Sequence, residues 1–73
     1  MAPAAPGSAE IADTLGWILV EAGEMEEGLD LLRRAGAAAP ANPDIQYHLA
    51  YALNATGKRD QAKVILERLV QNG

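Results

Sequence analysis

The amino-acid sequence predicts an all-α protein of four antiparallel helices arranged as two helix-turn-helix repeats. Three observations support this fold class. Apolar residues recur about every 3.6 positions in four segments, glycine and proline separate those segments, and the second half of the chain repeats the first. Composition agrees, because apolar residues form 49% of the 73 residues, phenylalanine is absent and β-branched residues are few. A chain of this length forms at most one small domain.

The first two helices are predicted near residues 9–22 and 25–37. Ser8 is expected to cap the first helix, and Gly23 is expected to end it because glycine enters the left-handed conformation freely. The apolar positions of these helices are Ile11, Leu15, Ile18, Leu19 and Ala22 in the first and Met25, Leu29, Leu32 and Ala35 in the second.

The third and fourth helices are predicted near residues 43–56 and 59–71. Asn42 is expected to cap the third helix, with Pro43 at its first position, and Gly57 is expected to end it. The apolar positions are Ile45, Leu49, Ala52 and Leu53 in the third helix and Ala62, Ile65, Leu66 and Leu69 in the fourth.

A shift of 34 residues superposes the two halves of the chain. The identical pairs are Ile11 with Ile45, Leu15 with Leu49, Leu19 with Leu53, Gly23 with Gly57, Leu32 with Leu66 and Arg34 with Arg68. Small residues also coincide, in the pairs Gly16 with Ala50 and Gly28 with Ala62. This period and these small residues, with Pro40 as the closing proline, resemble the tetratricopeptide repeat.

The resemblance implies a fragment of an α-solenoid divided into a flexible tail over residues 1–8, a first repeat over 9–42 and a second over 43–73. The chain departs from the family where large aromatic core residues are expected. Those positions hold Ala12 and Gln46, Leu19 and Leu53, and Leu32 and Leu66.

A narrower resemblance rests on the run from Asp13 to Val20 and the run from Gln46 to Ala50. Both are similar to the last repeats of bacterial tetratricopeptide proteins of the exosortase (PEP-CTERM) exopolysaccharide type. That resemblance implies a C-terminal fragment located in the bacterial cell envelope. Without it, a cytoplasmic location is the alternative.

The family resemblance also implies a protein or peptide partner, held on a concave surface lined by the first helix of each repeat. The predicted partner-binding residues are Asp13, Trp17, Val20 and Glu21 in one row and Tyr47, Tyr51 and Asn54 in the next. All three aromatic residues of the chain lie in these rows, and aromatic side chains are favoured anchors of interfaces. Two alternatives stay open. The aromatic side chains can instead pack between neighbouring helices, and the chain can be a structural unit of a longer repeat array without a separate ligand.

Other functions are disfavoured by the composition. A net charge of −4 argues against nucleic acid, and no apolar run is long enough to cross a membrane. Without cysteine, and with His48 as the sole histidine, the chain offers neither a metal site nor a nucleophilic triad. We therefore expect no cofactor and no enzymatic activity. One subgroup of the family binds C-terminal carboxylates through Lys, Asn and Arg. The corresponding places here hold Asp13, Trp17 and His48, so we do not expect this chain to bind a C-terminal carboxylate.

The last helix predicts self-association, most simply as a homodimer. Repeat arrays usually need about three units to be stable, and this chain has two. The final helix is also more apolar than its counterpart in the first repeat, and the predicted contact residues are Val64, Leu66, Leu69 and Val70. Residues 1–36 carry a net charge of −5 and residues 37–73 a net charge of +1, which favours contact between unlike ends or exchange of hairpins between chains. A marginally stable monomer is the alternative.

Overall fold

The computed structural model describes residues 8–72 and contains four α-helices, with no strand among those residues. Every helix end lies at the predicted residue or one position away, which confirms the predicted all-α fold class. Ser8, expected as a cap in the tail, is the first residue of the first helix, and residues 1–7 lie outside the described part. The helices are α1 (Ser8–Glu21), α2 (Met25–Ala38), α3 (Pro43–Ala55) and α4 (Arg59–Asn72).

The two hairpins close through the same turn. Gly23 has a φ of +90°, and the amide of Glu24 donates a hydrogen bond to the carbonyl of Leu19 at 2.8 Å. The second turn reproduces this arrangement 34 residues later, where Gly57 has a φ of +86°. Because a left-handed residue is needed to satisfy the last carbonyls of each helix, both predicted helix ends are confirmed.

The start of α3 is fixed by a side-chain cap. The Asn42 side chain accepts hydrogen bonds from the amides of Asp44 and Ile45, at 3.0 and 3.2 Å. Pro43 follows at the first helical position, where its missing N–H costs nothing. The connection between the two hairpins therefore ends at the predicted residue.

The core lies where α3 meets the hairpin of α1 and α2, and it extends to the inner side of α4. Burying each large aliphatic side chain contributes roughly 1.5–3 kcal/mol to stability. The buried cluster consists of Val20, Leu29, Leu32, Leu49, Ala50, Ala52, Leu53 and Ala62.

Helices α1 and α2 approach closely at two glycines. A Cβ atom placed on Gly28 would lie 2.7 Å from the carbonyl oxygen of Gly16 and 2.6 Å from Cγ2 of Val20. A Cβ on Gly16 would lie 3.0 Å from the carbonyl oxygen of Gly28. The absence of side chains at these positions lets the two backbones touch, which explains why both repeats carry small residues here.

One apolar face of α1 is not buried. Ile11 is 71% exposed, and Leu15 and Ile18 are about half exposed, although all three are among the apolar positions of the helical period. Their counterparts in the second repeat are buried because α2 covers that side of α3, whereas no described helix covers the same side of α1. We call Ile11, Leu15 and Ile18 the α1 face.

Candidate functional site

A polar and aromatic cluster joins α1 to α3. The Nδ1 atom of His48 lies 2.7 Å from Oδ1 of Asp13, and both side chains are largely buried. The His48 ring stacks on the Trp17 ring with centroids 4.4 Å apart. The Tyr51 ring contacts the Trp17 ring edge-on, with centroids 5.1 Å apart. Because an ionised carboxylate only accepts hydrogen bonds, Nδ1 of His48 is the donor. We call Asp13, Trp17, His48 and Tyr51 the α1–α3 cluster.

This cluster changes the role of the first predicted row of partner-binding residues. Asp13 and Trp17 both contact α3 through His48, and Trp17 also packs against the core. The alternative in which the aromatic side chains pack between neighbouring helices therefore describes Trp17 well. The sequence analysis did not pair Asp13 with His48. The 34-residue offset aligns His48 with Thr14, the neighbour of Asp13, so the period indicates that α1 and α3 are equivalent helices but not which of their side chains meet.

Val20 was predicted to face a partner, and the structure places it in the core instead. Its side chain is only 2% exposed and lies against Gly28. The glycine leaves a space that Val20 fills, so the close approach of α1 and α2 draws this side chain inward. Glu21, the last residue of the row, is exposed at the end of α1.

The second predicted row lines an open groove between α3 and α4. This α3–α4 groove has a volume of about 810 Å³. Tyr47 and Tyr51 are about half exposed along its α3 side, and Val70 is 80% exposed along its α4 side. The lining residues are Tyr47, Ala50, Tyr51, Asn54, Arg59, Asp60, Ala62, Lys63, Leu66, Glu67, Val70 and Gln71.

The same groove exists in the first repeat, where it is filled. The residues 34 positions before the groove lining belong to α1 and α2. They line the equivalent groove between these two helices, and α3 occupies that groove. Leu32 is fully buried there, whereas its counterpart Leu66 in the open groove is 41% exposed. Among the described residues, the second repeat therefore presents an open groove, and the equivalent groove of the first repeat holds an α-helix.

The open groove is more polar at its edge than the filled one. Asn54 stands where the first repeat has Val20, and Lys63 stands where it has Leu29. The remaining charged lining residues, Arg59, Asp60 and Glu67, also lie on α4. An apolar floor with a polar rim is the usual composition of a surface that binds another protein.

The four residues predicted for self-association are divided by the structure. Leu66 and Val70 line the α3–α4 groove. Val64 is half exposed on another side of α4. Leu69 is partly buried in a cleft with Gln46 and Leu49 of α3. Only the first pair therefore shares a surface with the predicted partner-binding residues.

Within the described residues, no three His, Cys, Asp or Glu side chains are grouped so that they could hold a metal ion. No helix in that part of the chain has the length and apolar character required to span a membrane.

Comparison with known proteins agrees with this architecture. The sequence profile of the tetratricopeptide repeat family matches residues 19–73, which is more than half of the chain. The protein thus belongs to the tetratricopeptide repeat family, whose members are generally non-catalytic scaffolds for protein interactions. No curated protein and no solved structure matches the chain. The narrower resemblance to the exosortase-associated type receives no support from these comparisons.

Proposed function

We propose that the chain is a protein-binding module that holds one helical segment of a protein partner in the α3–α4 groove. The observation that carries this proposal is the relation between the two grooves. In the first repeat the groove is filled by α3, and in the second repeat the equivalent surface is open. A surface that has the shape of an occupied helix site favours a helix as its ligand.

The lining residues define the chemistry of the expected partner. Leu66, Val70 and Ala62 form an apolar floor, which suits apolar side chains spaced one helical turn apart on the partner. Tyr47 and Tyr51 offer large, rigid contact surfaces with polar hydroxyl groups at their ends. The partner is therefore an amphipathic helical segment. Its apolar face packs on α4, and the side chains beside that face contact Tyr47 and Tyr51 of α3.

The polar rim also bears on how the partner binds. The filled groove is closed by aliphatic side chains, whereas the open one has Asn54 and Lys63 at the same positions. These side chains keep their hydration when the groove is empty, so the free module avoids a fully apolar exposed surface. A reversible complex is favoured over permanent burial.

A peptide derived from the chain itself provides a suitable probe. The probe is a fluorescent peptide of residues 43–55, because this helix fills the equivalent groove. It carries Gln46→Ala, because Gln46 packs against Gly36 in the filled groove and the larger Val70 stands at that position in the open one. Titration with the whole protein is followed by fluorescence anisotropy at high protein concentration, since a helix of this length is marginal in isolation. We expect saturable binding that Val70→Glu weakens at least about tenfold by placing a charge on the apolar floor.

The matched control is Val64→Glu, which changes an exposed valine on the same helix outside the groove. This variant should bind the probe as the unmodified protein does. Absence of probe binding at millimolar protein, or equal loss of binding in both variants, would refute the groove as the binding site.

A second candidate function is a structural unit of a longer repeat array with no separate ligand. The exposed α1 face favours it, because the same side of α3 is covered by the preceding hairpin. The two functions differ in what fills the groove, and the probe titration separates them. An array unit requires a neighbouring repeat, whereas a binding module responds to the peptide alone.

A further inference from the structure

We infer that the α3–α4 groove accepts α1 of a second copy of this chain, which joins two molecules head to tail. The inference rests on the proposed function, since it names the partner of that same groove. It differs from a symmetric dimer in which α4 meets α4. Three independent features support α1 as the occupant.

The first feature is the position of α1 in the repeat. The α1 face consists of Ile11, Leu15 and Ile18, and the residues 34 positions later are the buried Ile45, Leu49 and Ala52 of α3. Those three residues lie on the side by which α3 packs on the first hairpin. Helix α1 therefore presents an exposed version of the face that already fills the equivalent groove.

The second feature is a reciprocal change in side-chain size. Inside the molecule, the Nε2 atom of Gln46 donates a hydrogen bond to the carbonyl of Gly36 at 3.1 Å. A Cβ atom on Gly36 would lie 3.0 Å from Cδ2 of Leu49 and 3.3 Å from that nitrogen, so the large glutamine is packed against a small neighbour. At the predicted contact between copies, Val70 replaces the glycine and Ala12 replaces the glutamine. In this second pair the larger side chain is on α4 and the smaller is on α1, so the combined volume of the two side chains is similar in both pairs.

The third feature is charge. Helices α2 and α3 are antiparallel, because Gly36 near the end of α2 contacts Gln46 near the start of α3. The same register would bring Glu21, at the end of α1, towards Arg59 and Lys63 at the start of α4. Helix α1 carries Glu10, Asp13 and Glu21 and no basic residue. Asp60 and Glu67 also line the groove, so the opposite charges are those of Glu21 on one copy and of Arg59 and Lys63 on the other.

A head-to-tail contact has a distinctive consequence. Each dimer keeps one open α3–α4 groove and one uncovered α1 face, so further copies can add at either end. Assembly should then continue beyond the dimer as concentration rises. The inference keeps Leu66 and Val70 from the self-association surface predicted from the sequence, and it names α1 of the second copy as the other side of that contact.

Complementation between two variants of the whole chain tests the inference. The α1-face variant combines Ile11→Gln with Ile18→Gln, and the groove variant is Val70→Glu. All three changes fall on exposed side chains, so the fold should persist, as circular dichroism can verify. Sedimentation equilibrium from micromolar to millimolar concentration then gives the mass of each variant and of their equimolar mixture.

The unmodified chain should grow past dimer mass, and each variant alone should need at least about tenfold higher concentration to associate. The mixture should form heterodimers, because the intact groove of the α1-face variant can bind the intact α1 face of the groove variant. Growth should stop at the heterodimer, because its two remaining surfaces are the altered ones. Three outcomes would overturn the inference: a monomeric unmodified chain, normal assembly of the α1-face variant, or a mixture that does not associate. If the chain stays monomeric while the peptide probe still binds the groove, only the inference fails. If neither responds to Val70→Glu, the proposed function fails as well.

Discussion

Asp13 and His48 meet at 2.7 Å although they lie 35 positions apart in the chain, and this contact ties the first hairpin to the second. Both side chains are largely shielded from water, and the imidazole is also stacked on Trp17. The pair therefore stabilises the packing between the repeats rather than either helix alone. Its energetic coupling can be measured.

A double-mutant cycle should detect this coupling. Asp13→Ala and His48→Ala are each expected to lower the free energy of unfolding, with an interaction energy of about 1 kcal/mol, as for other hydrogen bonds within proteins. Urea unfolding of the two single variants and the double variant gives the value. The exposed pair Asp30 and Arg34 serves as a control and should couple by only about 0.3 kcal/mol. Equal coupling in the two pairs would show that the contact between repeats has no special strength.

Alanine at Gly28 should destabilise the protein by about 1–3 kcal/mol, even though alanine usually favours helix. The new Cβ would lie 2.7 Å from the backbone carbonyl of Gly16, which cannot move without separating α1 from α2. Gly36→Ala is the matched control, because its nearest neighbours are the ends of the Leu49 and Gln46 side chains. That variant should change stability by less than about 1 kcal/mol. Thermal unfolding followed by circular dichroism compares the two, and a stabilised Gly28→Ala protein would contradict the proposed close contact.

The helices could be predicted almost completely from the sequence, because their ends are decided by local chemistry. Gly23 and Gly57 adopt the left-handed conformation, and Asn42 caps α3, as their residue types suggest. The 34-residue offset then fixed the pairing of helices, since each signal occurs twice. These features depend on neighbours along the chain, and a sequence contains them directly.

The site was less predictable because it depends on which helix covers which face. Ile11 and Ile45 occupy the same position of the repeat, yet only the second is buried, since α2 lies beside it. Val20 and Asn54 are likewise equivalent, and the space beside Gly28 draws only the valine inward. The period shows that two positions are equivalent, but it does not show which of them has a neighbour.

Removal of the α3 cap should lower stability. Asn42→Ala deletes the acceptor for two amides, at Asp44 and Ile45, and should cost about 1 kcal/mol. Asn54→Ala is a suitable control, because this exposed asparagine lies within α3 and contributes only its backbone carbonyl, which alanine keeps, to the end of the helix. It should be neutral or slightly stabilising through the higher helix propensity of alanine. Chemical denaturation measures both, and equal effects would argue against the cap.

The last prediction separates packing from recognition among the aromatic residues. Trp17 contacts His48, Tyr51 and the core, so Trp17→Ala should reduce the free energy of unfolding by about 3 kcal/mol. Tyr47 is half exposed in the groove, and Tyr47→Ala should change stability by less than about 0.5 kcal/mol. The same tyrosine change should weaken the peptide probe by more than about 1 kcal/mol, because rigid aromatic side chains are common anchors of interfaces.

Unfolding in urea, with a stabilising osmolyte to keep the tryptophan variant folded at the start, gives the first two values, and probe anisotropy gives the third. The contrasting pattern would be a Trp17→Ala protein of normal stability with reduced probe affinity. That result would return Trp17 to the partner-binding surface predicted from the sequence. A loss of stability at Trp17 with a loss of affinity at Tyr47 would assign packing between the repeats to the first residue and recognition to the second.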